Sequence, residues 1–325
     1  MAKVIPIYNE DQEVIDKNIL LANNVLTNNG IVAFKTETVY GLGGNAYSDT
    51  AISKIYKLKG RPANNPLIVH FCNKEDIKND CYTNEVFDFL YKRFMPGALT
   101  LVLKKKESSR ISKLCSKDYQ AVRIPNEKSA LTLIESCGFP IAAPSANISN
   151  HISPSCAEHV AMSFPEADLL ILDGGNTNIG VESTVVNVSD PSNIQILRHG
   201  SITQEMLEDE GLFLNSYEDN SMNKLSPGLM KKHYSPNTPV SLDINSLLPG
   251  DILIRFGSIS YNIPENVIII SLSDSGNLIE AAQNLYRVMW QADTLKCNKI
   301  VFMPIPNVGV GRAINDRLLK ASAGN

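Results

Sequence analysis

The chain has 325 residues, enough for about two domains at roughly 150 residues each. Hydrophobic residues make up 43% and charged residues 20%, which excludes a disordered or collagen-like chain and leaves apolar material for two cores. The net charge of -4 averages over opposing segments: residues 54–123 carry 15 Lys/Arg against 7 Asp/Glu, residues 124–208 carry 2 against 10, and a local basic patch would suit a phosphate-rich ligand.

Residues 1–12 (MAKVIPIYNEDQ) lack the apolar core and cleavage site of a secretory signal, and no apolar run approaches the roughly 18 residues of a membrane span. A cytoplasmic location is expected. Val14, Ile15, Ile19, Ala22, Val25 and Leu26 recur at helical spacing, and Gly30 stops that helix before an apolar strand at 31–34. Further strands are expected at 67–71, 99–103, 121–124, 141–143, 169–172, 184–188 and 194–197, with helices at 49–58, 85–93, 127–137 and 156–162. This alternation marks an α/β domain over 1–208. Over 209–240 the periodicity fails in a stretch rich in Asn, Ser and Pro, which reads as a linker; at about thirty residues it is either disordered or functional, and its Tyr, His and Lys favour function. Over 241–325, strands at 252–256, 267–270 and 300–303 surround helices at 277–294 and 313–320, a small second α/β domain. The six cysteines have no metal-ligand spacing and read as buried thiols.

Gly41, Gly43 and Ala46 match the dinucleotide fingerprint, but six residues separate Gly41 from its strand and Lys59 and Arg61 stand where an acid is required. Gly309 and Gly311 open the last helix, either for close packing on a sheet or for an anion. No Walker A sequence is present. Residues 35–45 (KTETVYGLGGN) read as a glycine-rich loop leaving a buried strand, the kind of place that carries a site. Lys59 and Arg61 flank Gly60, a turn able to hold phosphate oxygens, although helix C-termini also attract cations through the macrodipole. Arg123 lies in an apolar strand and needs an anionic partner, either a bound carboxylate or a structural Glu. The small residues of 142–147 permit close backbone approach, and Ser183 offers a hydroxyl to a ligand or caps a turn. His70 reads as a structural strand histidine on the face opposite Val69 and Phe71; His151, His159 and His199 show no acid or thiol partner, so no metal site or triad is expected.

Taken in order, TETVYGLG (36–43), KGRPANNPL (59–67), VRIP around Arg123, APSAN (143–147), ESTVV (182–186), LRHG (197–200), SPGLMKKHYSP (226–236) and GVGRAINDRLLKA (309–321) resemble the L-threonylcarbamoyladenylate synthase family in its long form. Lys35 and Tyr119 depart from the family's usual residues. The resemblance implies a twisted mixed-sheet, YrdC-like catalytic domain with a large concave cavity, plus a smaller Rossmann-like α/β C-terminal domain. It implies condensation of L-threonine, bicarbonate or CO2 and ATP into threonylcarbamoyl-AMP and pyrophosphate, for threonylcarbamoyladenosine beside the tRNA anticodon. Lys59 and Arg61 are then the catalytic cations, joined at ATP by Asn65, Ser145, Asn147, Ser153, Arg198 and Tyr234. Threonine falls to Thr38, His70, Arg123, Ala143 and Ser183. The resemblance also implies Mg2+ carried with ATP, downstream threonylcarbamoyl-transfer proteins, tRNA as a candidate direct partner, no membrane, and a lid formed by the linker around Tyr234. The rival readings are a carbamoyl-adenylate-forming or carbamoyl-transferring enzyme and a non-catalytic RNA-binding module.

Overall fold

The computed structural model describes residues 1–215 and 233–323. In chain order the first unit runs β1 (Lys3–Pro6), α1 (Gln12–Thr27), β2 (Ile31–Lys35), β3 (Tyr40–Asn45), α2 (Asp49–Lys59), β4 (Ile68–His70), α3 (Lys74–Asp80), α4 (Glu85–Phe94), β5 (Leu99–Lys104), β6 (Tyr119–Arg123), α5 (Lys128–Cys137), β7 (Ile141–Ala142), α6 (Ala157–Ser163), β8 (Leu170–Asp173), β9 (Thr184–Asn187), β10 (Gln195–Arg198) and α7 (Gln204–Asp209). The second unit holds β11 (Val240–Ser241), a 3-10 turn, β12 (Ile252–Phe256), β13 (Ile268–Ser273), α8 (Leu278–Thr294), β14 (Ile300–Phe302) and α9 (Gly311–Ser322).

The first unit is a ten-stranded mixed sheet in the order β1-β8-β2-β3-β7-β4-β6-β5-β9-β10. The second is a four-stranded sheet, β11-β14-β12-β13, with every pair parallel. This is the expected pair of α/β units. Residues 40–45, read from the sequence as loop, are instead strand β3, antiparallel to β2. A Cβ on Gly43 would lie 2.6 Å from the Phe34 ring and 2.7 Å from Ile141, so the glycines that imitate a turn clear one sheet face for an aromatic ring. Gly311 likewise serves packing, since a Cβ there would meet the Pro306 carbonyl at 2.0 Å. The N-terminus of α9 already holds an anion, the Glu205 carboxylate, which pairs with Arg312.

Two large apolar clusters cover the large sheet, one around Leu42, Phe71 and Val122 and the other around Leu26, Phe34 and Leu133, with a small one around Val102 and Val185. A further large cluster centres on α8, whose buried Ala281, Ala282, Leu285, Tyr286, Val288, Met289 and Ala292 form a stripe at helical spacing. That cluster takes in Val39, Ile152 and Val181 of the first unit, so the two units share a core. Each large side chain buried there contributes roughly 1.5–3 kcal/mol. Trp290 of α8 adds polar fixation: its indole N–H donates to the Ser153 carbonyl at 3.2 Å and its ring stacks on His159 at 5.0 Å. Among the described residues no helix is long and apolar enough to cross a membrane.

Candidate active site

Strand register brings the site together. Parallel pairing of β4 with β6 sets His70 beside Arg123, and the antiparallel pairing of β9 with β10 sets Arg198 opposite Val185, close to Ser183. Between β2 and β3 the chain turns on Thr36, whose hydroxyl contacts the Val39 carbonyl at 2.6 Å and the Thr38 hydroxyl at 2.9 Å. Helix α2 ends at Gly60 in the left-handed region, φ 60°, which separates Lys59 from Arg61.

Thr38, Arg61, His70, Arg123, Ala143, Ser145, Ser183, Arg198 and Tyr234 line one cavity, together with Thr36, Glu182 and His233. The other expected residues, Lys59, Asn65, Asn147 and Ser153, stand behind the wall. Lys59 is 1% exposed, and its ammonium donates to the carbonyls of Ser145, at 2.6 Å, and Asn147. The ammonium therefore braces the 143–147 segment rather than facing the cavity. Asn65 receives the Arg61 guanidinium on both its carbonyl, at 3.0 Å, and its side-chain oxygen, at 2.6 Å. Asn147 donates to the carbonyls of Ile148 and His151, and Ser153 donates to Glu182.

Arg123 already has an anionic partner inside the chain. Its Nη2 lies 2.8 Å from Glu37 Oε2, a charge contact without hydrogen-bond alignment, while Nη1 donates to Thr38 Oγ1 at 2.9 Å and Nε to the Gly97 carbonyl at 3.1 Å. Of the two partners left open by the sequence, the structural Glu is present. Sequence reasoning missed Glu37, because only the Thr36 turn decides that this side chain points to β6. It also missed His233 and Thr36 on the wall; Glu182 had a signal, an acid followed by two hydroxyls before a buried strand.

The wall is electropositive. Burial lowers Lys59 below its usual value, with Arg61 adding to the effect, lowers Arg61 to about 10, and lowers Arg198. Among the described residues neither Arg61 nor Arg198 pairs with a carboxylate within salt-bridge distance, although Glu182 stands near enough to Arg198 to act on it electrostatically. Buried cations in this state call for an anionic ligand. The cavity's open volume is about 50 Å³, whereas pockets that hold small-molecule ligands run to roughly 300–1,000 Å³. Tyr234 lines it: the residue is 1% exposed, its hydroxyl has no hydrogen-bond partner among the described residues, and its φ of 62° is strained for a non-glycine.

Burial, joined at His70 by the Arg123 charge, depresses His70 and His233 to about 3 and His159 to about 4, against an ordinary 6.5. All three are neutral in the folded chain at pH 7. The unfolded chain binds their protons first, so the stability they contribute is complete above pH 6.5 and is lost as pH falls toward about 4 for His159 and about 3 for His70 and His233. Acidification from pH 7.5 to 5 is expected to cost roughly 1–2 kcal/mol per buried imidazole, read as a falling melting temperature. A melting temperature constant over that interval would refute the assignment.

A family model described as Telomere recombination, for Sua5, YciO and YrdC, matches residues 24–200, and one described as Threonylcarbamoyl-AMP synthase, C-terminal domain, matches residues 202–323. The threonylcarbamoyl-AMP synthase of Bacillus subtilis strain 168 is 38% identical, covering 95% of this chain and 94% of its own. That of Pyrococcus abyssi is 35% identical over 97% of each chain. Among solved structures, P. abyssi Sua5 complexed with L-threonine superposes with a TM-score of 0.84 at 31% identity, covering 99% of this chain and 97% of that one.

Proposed function

The chain belongs to the threonylcarbamoyl-AMP synthase family, and on that premise we infer that it condenses L-threonine, bicarbonate or CO2 and ATP into threonylcarbamoyl-AMP and pyrophosphate, the intermediate for threonylcarbamoyladenosine in tRNA. The observation that carries this reading is the convergence of three buried guanidinium groups, Arg61, Arg123 and Arg198, on one cavity. Neither the carbamoyl-transferring nor the RNA-binding alternative is favoured by relatives that match nearly the whole chain.

The threonine amine adds to CO2 and loses a proton, giving a carbamate. A carbamate oxygen then attacks the α-phosphorus in line, and the bond to the bridging oxygen breaks as pyrophosphate leaves. Such a site mainly positions reactants and offsets negative charge. We assign Arg61 and Arg198 to the phosphates, with Ser145 and Tyr234 at the nucleotide. Asn65 orients Arg61, and Lys59, Asn147 and Ser153 hold the wall. Thr38, His70, Arg123, Ala143 and Ser183 form the threonine subsite, where Arg123 retains N–H groups beyond those donated to Thr38 and Gly97.

Among the described residues no three His, Cys, Asp or Glu side chains cluster as a metal site, and the carboxylates nearest the cavity, Glu37 and Glu182, each face an arginine. These residues do not fit a protein-held Mg2+, so the ion enters this reading as part of the ATP complex and no step is routed through it. The domain assignment is a catalytic unit over 1–208, a linker over 209–240 acting as lid, and a second domain over 241–325. Residues 216–232 of that linker lie outside the described residues. His233 and Tyr234 line the cavity, and in this reading they withdraw to admit substrate and return to exclude water from the carbamate and the mixed anhydride. Action in the cytoplasm, transfer by downstream proteins and direct tRNA contact complete the proposal.

The test is pyrophosphate release from ATP and Mg2+, omitting L-threonine and bicarbonate in turn. Release that needs both supports the reading; release indifferent to threonine overturns it. Arg123→Ala is expected to raise the threonine KM by roughly 10- to 100-fold while moving the ATP KM much less. The same change leaves Glu37 buried without its cation, so Arg123→Ala with Glu37→Gln is the control for lost stability. Unchanged threonine dependence in both would discredit the subsite.

A further inference from the structure

Glu182 lies on the cavity wall where the two units meet and is 6% exposed. Its carboxylate accepts from Ser153 Oγ at 2.6 Å, from the Tyr286 hydroxyl at 2.8 and 2.9 Å, and from Arg317 Nε at 3.1 Å. Ser153 belongs to the first unit, whereas Tyr286 and Arg317 come from α8 and α9 of the second. Burial works against ionisation of Glu182, but Arg317 and then Arg198 outweigh it and hold the carboxyl at about 2.

Arg317 is 0% exposed and reaches three segments that build the cavity. Besides Glu182, its Nη1 donates to the carbonyl of His199 at 2.6 Å, one residue from Arg198, and its guanidinium carbon sits 5.5 Å from the Tyr234 ring centre. Arg198 donates Nε and Nη2 to the Ser183 carbonyl, at 3.1 and 2.9 Å, and Nη2 also to the Ser183 hydroxyl at 3.1 Å.

Two buried arginines thus stand within electrostatic reach of one carboxylate, and Arg317 is the one in contact. Without it, Arg198 would be the cation left to hold the Glu182 carboxylate ionised against its burial. An Arg198 drawn into that pair is lost to substrate, and the uncompensated carboxylate repels phosphate.

Building on the reading of the cavity as an ATP site, we propose that Arg317, assisted by Tyr286, is a positioning residue that claims the Glu182 carboxylate and so leaves the Arg198 guanidinium to the nucleotide phosphates. The second domain is therefore a working part of the ATP subsite.

The test uses the full chain, with pyrophosphate release measured against ATP at saturating threonine and bicarbonate, and melting temperature recorded beside it. Arg317→Met is expected to raise the ATP KM roughly tenfold or more, with a smaller effect on threonine. Adding Glu182→Gln to that variant removes the stranded charge and is expected to return the ATP KM to within about threefold of the parent chain. A merely structural role would lower the melting temperature without this reversal. Unchanged ATP KM in Arg317→Met, or a double variant no better than the single one, overturns the proposal. Should Arg317→Met fail to fold, the double variant and Tyr286→Phe decide it: the double variant is expected near the parent ATP KM and Tyr286→Phe modestly above it. A double variant as impaired as Arg198→Ala overturns the proposal. Arg198→Ala separates the two readings. If it leaves the ATP KM unchanged, the phosphate role of Arg198 falls and the proposal with it; if it raises the KM while Arg317→Met does not, the proposal alone falls.

Discussion

Arg61→Ala is expected to lower kcat/KM for threonine-dependent pyrophosphate release by roughly 1,000-fold, the scale seen when a preorganised charge on a transferring phosphoryl group is removed. The guanidinium lies on the cavity wall, held by the Asn65 carbonyl, the Asn65 side chain and the Pro66 carbonyl, so its direction is set before ATP arrives. Among the described residues it has no carboxylate partner to strand, and its loss therefore acts on the reaction more than on folding. Arg61→Lys keeps a charge but loses the planar fork that engages Asn65 and is expected to recover only a small part of the rate. Steady-state kinetics decide the matter; a loss below about tenfold in Arg61→Ala would remove Arg61 from the phosphate assignment.

Lys59→Met is expected to abolish measurable turnover for a different reason. The ammonium is buried and satisfies the carbonyls of Ser145 and Asn147, which carry the segment between β7 and the cavity. Methionine fills similar volume and donates nothing, so two buried carbonyls lose their donor at roughly 1–3 kcal/mol each and the Ser145 wall shifts. Burial already makes the charged ammonium costly, so relief of that cost offsets part of the loss. Both melting temperature and activity should therefore fall. A variant that melts like the parent chain yet is inactive would instead assign the ammonium directly to phosphate.

The two expectations differ in how far the sequence could carry them. Lys59 and Arg61 stand out because a helix ends on cations around a glycine, and Gly60 does adopt the left-handed cap that such a reading requires. That their side chains part, one to brace a loop and one to line a cavity, depends on a segment 86 to 88 residues away in the chain. Arg123 was legible as a charge in an apolar strand, but Glu37 was not legible as its partner, since a loop acid has no fixed direction until the Thr36 turn forms.

Local chemistry in the sequence determined most of the elements, because helical and strand periodicity and turn residues act over a few positions. It also determined the ordered motifs from which the reaction was read, since those motifs are contiguous. Where a local signal was ambiguous it failed: β3 looked like a loop because its glycines answer to Phe34 and Ile141, which only sheet pairing brings near. The tertiary structure alone decided that Arg317, 135 residues from Glu182, backs the cavity wall from the second domain. In the sequence that arginine is part of the last helix and of the 309–321 motif, with nothing to mark it as buried; its burial follows from the shared core of α8, α9 and the first unit, a packing outcome that no local pattern encodes.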